Sequence, residues 1–304
     1  VMGPKGSHHP MLGWGACLAI ACTFVGSLYV WPNPRRLERD HPGVIARRFA
    51  SLSGACALAW VPLWCALRVR ETGPEMPTSE GMSLLRALGV ASPLGAVTSV
   101  AATLGLAAAL FLGPLVALAL DGELVPRFAN AARLDSIHKL RNLVVAPASE
   151  EFAFRACMAP LLLYTGAATL RTAILASPLF FGVAHMHHFM DLRRRTGRTS
   201  AALAAIAAQL VYTTVFGWFA TFAFMRTGHV FGPIAAHAFC NVMGPPDVTR
   251  AAGHPRRGIV CAAYAVGITV FVCGLWPATD PARHPSSSWH AFVAISRETR
   301  ETHT

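Results

Sequence analysis

The stretch ALGVASPLGAVTSVAATLGLAAALFLGPLVALAL, residues 87–120, contains no Asp, Glu, Lys or Arg. A helix needs about 20 apolar residues to cross the hydrocarbon core of a bilayer. This run exceeds that length and predicts two helices, with Pro93 or Gly113-Pro114 as the breaks. Charge-free stretches recur at 11–34, 49–67, 172–190, 199–225, 227–246 and 258–279. With a shorter apolar segment around 143–164, the pattern predicts an all-α, multi-spanning transmembrane helical bundle of roughly eight spans. Alternating strand patterns of about ten residues are absent, which argues against a membrane β-barrel.

Composition points the same way. Of 304 residues, 54% are hydrophobic and 13% are charged. A soluble domain carries about 25% charged residues. A chain this poor in charge cannot coat an ordinary soluble enzyme, and it is too apolar to be disordered. The eight cysteines lie in or beside apolar segments without a CxxC pair, so they read as small packing residues and not as a disulfide framework. The formal net charge is +11. Its arginines bunch between apolar runs: Arg35, Arg36 and Arg39; Arg47 and Arg48; Arg193, Arg194, Arg195 and Arg198; Arg250, Arg256 and Arg257. At span ends they read as topology-setting loops that touch the lipid bilayer, and no nucleic-acid partner is expected. Four regions follow: a polar N-terminal tail (1–10), N-terminal transmembrane helices (11–136), a transmembrane core that holds the candidate catalytic residues named below (137–279) and a polar C-terminal tail (280–304). Both tails are expected to be poorly ordered.

A charged side chain at the bilayer centre costs roughly 2.5–3.5 kcal/mol on insertion scales. Polar residues inside apolar segments therefore mark sites. Three clusters qualify. The first is Glu150-Glu151-Phe152-Ala153-Phe154-Arg155. On a helix Glu151 and Arg155 are four apart and neutralise each other, while Glu150 points about 100° away without a local partner. An unpaired carboxylate can serve as a general base. The competing structural reading is a helix N-terminus after Pro147 and Ser149, where acids favour the dipole. The second cluster is Phe181-Gly182-Val183-Ala184-His185, followed by His187 and His188 at an expected interface. A lone His185 would more often be structural. The third is His237-Ala238-Phe239-Cys240-Asn241, where His and Asn share a helix face. An interhelical hydrogen-bond pair worth about 0.6 kcal/mol is its structural alternative. Gln209, Tyr212, Thr213 and Thr214 form a milder polar patch, a candidate lining of the same cavity.

Together these residues could hydrolyse a bond. A Glu can deprotonate water, a His can orient it, and a second His with an Asn can stabilise an oxyanion. No Ser-His-Asp arrangement or HExxH helix is present. Zinc held by Glu150, His185 and His237 is the second-ranked alternative on ligand type.

In order, Glu150-Glu151-x-x-x-Arg155, Phe181-x-x-x-His185 and His237-x-x-x-Asn241 resemble the motif set of the type II CAAX prenyl endopeptidase family. The text at 177–188, 212–217, 226–229 and 237–244 resembles its eukaryotic members. The likeness runs from about Arg141 to Val248, and its specificity lies in the ordered triple. The resemblance implies a multi-pass endoprotease of the endoplasmic reticulum membrane. Its substrates would be farnesylated or geranylgeranylated CAAX proteins, from which it removes the C-terminal -aaX tripeptide. Carried across, Glu150 would activate water with help from His185. His237 and Asn241 would stabilise the oxyanion, with Glu151 and Arg155 in support. The family is generally read as glutamate-dependent, so no metal or other cofactor is expected. A prenyl chain gains about 0.8 kcal/mol per buried CH₂, and the scissile peptide needs water. A site inside a bundle near an interface meets both demands. The rival readings are a proton-coupled transporter using the same buried Glu and His, and a non-proteolytic scaffold of the same family. The first predicts repeated halves, and none is visible. Intact Glu150, His185, His237 and Asn241 count against the second.

Overall fold

A computed structural model describes residues 10–32, 37–71, 83–184, 189, 193, 197–245 and 247–303. Every regular element among the described residues is helical, as the apolar runs require. The chain opens with α1 (Pro10–Ser27), α2 (Pro42–Ala59) and α3 (Val61–Glu71). A short α4 (Leu84–Ala87) leads to α5 (Pro93–Leu110), α6 (Leu112–Leu120) and α7 (Leu124–Ala132). A continuous helix over 137–164, α8, is followed by α9 (Leu170–Ala184), α10 (Thr199–Thr227) and α11 (Phe231–Met243). The last elements are α12 (Val248–Gly253), α13 (Arg257–Ala278) and α14 (Trp289–His303).

Local chemistry sets several of these boundaries. Pro42 and Pro93 each open a helix, where a missing N–H costs nothing. The His41 and Ser92 side chains cap the same helices by accepting from Gly43 N and Gly95 N. The 87–120 run does break in two, at Phe111 (φ −91°, ψ 15°). Pro114 is the cause, because its ring crowds the carbonyl four residues back, that of Leu110. Helix α10 ends at Gly228, whose φ of +69° suits a residue without Cβ.

Five helical stretches are each long and apolar enough to cross a membrane: Pro10–Ser27, Pro42–Arg70, Pro93–Leu110, Thr199–Thr227 and Arg257–Ala278. The remaining apolar helices are shorter or, in α8, interrupted by π turns. Large apolar side chains point outward from α13, including Ile259, Val266, Ile268, Val270 and Val272. A soluble protein would bury such a band, and lipid accepts it. The chain is a multi-pass membrane protein.

Helix α8 is the axis of the bundle. Every residue from 153 to 164 is buried. Helices α1, α2, α3, α9 and α10 pack around it. On another side α11 lies between α5 and the N-terminal half of α8. A Cβ on Gly232 would lie 2.2 Å from Ser99 Oγ, so a glycine at the start of α11 permits the close approach to α5. That contact fixes how the next turns of α11 face α8.

The C-terminal segment differs from the expected loose tail. It forms α14, which buries Phe292, Ile295, Ser296 and Thr299. Ser296 Oγ accepts from Leu170 N at 2.9 Å, and Ser287 Oγ donates to Arg226 O at 2.7 Å. The N-terminal tail lies outside the described residues apart from Pro10.

Candidate active site

The centre of α8 departs from α geometry twice. π turns over Arg141–Val145 and Phe152–Cys157 flank a short α segment, Ala146–Glu151, that carries both acids. Such bulges re-aim side chains and recur at functional sites. Glu150 and Glu151 thus lie in mid-helix, not at the N-terminus that the structural reading required. Pro147 accounts for part of the first π turn. Ala146 N–H bonds Arg141 O, five residues back. In that register the next acceptor is the Asn142 carbonyl, and Pro147 has no N–H to offer it. Asn241 Nδ2 on α11 donates to that carbonyl instead, at 2.7 Å.

Glu151 and Arg155 are fully buried and paired, as their spacing predicts. Arg155 Nη1 donates to Glu151 Oε1 at 3.2 Å, and Arg155 Nε lies 3.1 Å from Oε2. The guanidinium stacks 4.4 Å from the centroid of Phe181, and Phe216 lies 5.8 Å away. Glu151 has a second partner that spacing did not reveal. His237 Nδ1 donates to Glu151 Oε1 at 2.7 Å. An ionised carboxylate only accepts, so this bond assigns a proton to Nδ1 and fixes the ring. His237 Nε2 then faces Glu150 Oε2 across 3.8 Å.

Glu150, His237 and Asn241 line one cavity of about 250 Å³. Phe24, Leu28, Phe49, Leu52, Phe154 and Phe181 supply apolar walls, and Arg39, Arg48 and Arg141 supply positive charge. The Asn142–Asn241 contact also borders a second cavity, of about 560 Å³, lined by Arg127, Asn130 and Lys139. One space is therefore apolar and polar together, with a carboxylate and an imidazole aimed at the same point.

Of the sequence-derived site residues, Glu150, Glu151, Arg155, His237 and Asn241 come together. His185 lies outside the described residues, as do His187 and His188. Helix α9 is described to Ala184, and both Ala184 and Phe181 line the cavity. The zinc alternative needs His185, so two of its three ligands are placed. The polar patch on α10 does not line this cavity. Thr213 Oγ1 donates to its own helix at Gln209 O, 2.8 Å away, and Thr214 packs against Gly182.

Three contributions were missed from sequence: the Glu151–His237 bond, the exposed Asn142 carbonyl and the cationic lining. The first depends on packing between residues 86 positions apart. The second had a signal, because a proline five residues after an acceptor leaves it unpaired in a π register.

The family model described as type II CAAX prenyl endopeptidase Rce1-like matches residues 134–243. CAAX prenyl protease 2 of Homo sapiens is 42% identical over 282 residues, covering 89% of this chain and 82% of the relative. Probable CAAX prenyl protease 2 of Schizosaccharomyces pombe is 32% identical over 275 residues, covering 86% and 91%. CAAX prenyl protease 2 of Saccharomyces cerevisiae is 26% identical over 254 residues, covering 77% and 80%. No solved structure matches.

Proposed function

The chain belongs to the type II CAAX prenyl endopeptidase family, and on that premise we propose that it is an intramembrane endopeptidase of prenylated CAAX proteins. It hydrolyses the peptide bond that follows the farnesylated or geranylgeranylated cysteine and releases the -aaX tripeptide. Its place of action is the endoplasmic reticulum membrane.

The observation that carries this reading is the Glu150–His237 pair, 3.8 Å apart in the cavity that also holds Asn241. That gap is too long for a direct hydrogen bond, and a water about 2.8 Å from each atom fits beside it. Two carboxylates and one guanidinium leave one negative charge in the cluster. A proton on His237 cancels it and turns Nε2 into a donor. Glu150 takes a proton from the water as its oxygen attacks the scissile carbonyl. His237 Nε2–H and the second Nδ2–H of Asn241 steady the resulting oxyanion. Glu150 then returns the proton to the leaving amine, and the C–N bond breaks. Glu151 holds His237 in orientation, and Arg155 holds Glu151. The role of His185, orienting the water, rests on the resemblance.

The phenylalanine-rich wall suits a prenyl chain, at about 0.8 kcal/mol per buried CH₂. These residues move every proton the reaction needs, so the reading uses no metal or other cofactor. Activity unchanged in a chelator is expected, and loss restored by zinc would favour the Glu150/His185/His237 zinc alternative. The direct test is mass spectrometry of a farnesylated CAAX peptide incubated with detergent-purified protein. Wild type should release the tripeptide and Glu150→Ala should not. A folded wild-type protein that leaves the peptide whole would refute the assignment.

A further inference from the structure

The catalytic cavity also carries three guanidinium groups, and they are not equivalent. Arg141 Nη1 reaches Asp40 Oδ1 at 2.8 Å, and Arg39 Nε lies 3.9 Å from the same oxygen. One carboxylate thus serves both. Arg48, on α2, makes no ion pair with any described residue. Its guanidinium lies 5.8 Å from the centroid of the Tyr29 ring. Its Nε is buried without a hydrogen-bond partner. A partly buried cation beside apolar walls is costly unless an anion meets it.

The proposed substrate brings one such anion. A CAAX sequence ends the chain, so its last residue carries a free α-carboxylate. Three extended residues span about 10 Å, so that carboxylate stays close to the scissile bond. The guanidinium fork matches a planar carboxylate bidentately, which an ammonium cannot do. We infer that Arg48 reads the α-carboxylate of the substrate's last residue and so restricts cleavage to the chain terminus. This inference rests on the endopeptidase reading above. Arg48 is a specificity residue in it and takes no part in proton transfer.

An anionic lipid headgroup offers the same oxygen chemistry, so the test separates the two sources. The full-length protein is placed in phosphatidylcholine vesicles, with and without added anionic lipid. Two farnesylated CAAX peptides are compared by mass spectrometry, one ending in a free carboxylate and one in a primary amide. Wild type should prefer the carboxylate by about 10- to 100-fold in kcat/KM, chiefly through KM. Arg48→Ala should bring the carboxylate peptide down to the amide's rate, and Arg48→Lys should recover part of the preference. The pattern should be the same in both kinds of vesicle. Equal loss on both peptides would mean a structural role and overturn the inference. So would an undiminished preference in Arg48→Ala, or a dependence on Arg48 confined to anionic vesicles. Wild type cutting neither peptide would overturn the endopeptidase reading itself, and this inference with it.

Discussion

Glu150 and Glu151 are neighbours in the chain and meet different partners. About 100° of helix rotation leaves Glu150 facing the cavity and turns Glu151 into the protein. There Glu151 serves Arg155 and His237 at once. The two services can be separated. Arg155→Met strands a buried carboxylate, and loss of one partner of a buried pair costs about 3–5 kcal/mol. Its thermal midpoint in detergent should fall accordingly. Adding Glu151→Gln removes the stranded charge and should recover much of that stability. Activity should stay low in the double variant, because the amide no longer holds the His237 ring as a carboxylate does. Recovery of activity along with stability would mean that Glu151 only balances charge. The pair with Arg155 was legible from spacing alone. The bond to His237 was not, since nothing local announces a contact between α8 and α11.

Elements show the same division. The apolar runs announced their helices, and the break in 87–120 fell three residues before Pro114, where its ring acts on the helix. The π turns of α8 escaped, because hydrophobic periodicity is read at 3.6 residues per turn and a five-residue π segment barely disturbs it. Pro147 was their one visible mark. Pro147→Ala restores an N–H beneath the Asn142 carbonyl. A backbone donor there competes with the Asn241 amide. The variant should be more stable, since proline in a helix interior costs about 3 kcal/mol. It should also be less active. Combining it with Asn241→Ala should cost little more activity than Asn241→Ala alone. Fully additive losses would show that Pro147 and Asn241 do not act through one carbonyl.

At the scale of the molecule, composition established a helical membrane bundle, and the five long apolar stretches agree. The C-terminal segment was misread because hydropathy hides it. Phe292, Ile295, Ser296 and Thr299 repeat at helical spacing, yet two of the four carry hydroxyls. Outside the spans, the loop after α6 is clamped to α12 by charge. Arg250 pairs with Asp121 and Glu123, and His254 Nε2 lies 3.2 Å from Asp121. The hydrogen bond from Arg250 holds the Asp121 carboxyl below the usual carboxylate range. The Thr249 hydroxyl and the Arg250 amide do the same for Asp247. A lowered folded pKa gives a contribution that is complete above the unfolded value, about 3.9, and lost as pH falls through the folded one. Spin labels on the two segments should report a constant separation from pH 8 to 5 and an increase below about pH 4. Opening between pH 8 and 5 would contradict the clamp. The bundle brings a carboxylate, Glu150, and an imidazole, His237, to face each other across 3.8 Å. Single-turnover release of the tripeptide by Glu150→Gln tests it most directly, because the amide keeps the shape and removes the base. The account predicts that the farnesylated peptide still binds while release slows by about 10²–10⁴-fold. Release within a few-fold of wild type would show that Glu150 is not the group that activates water.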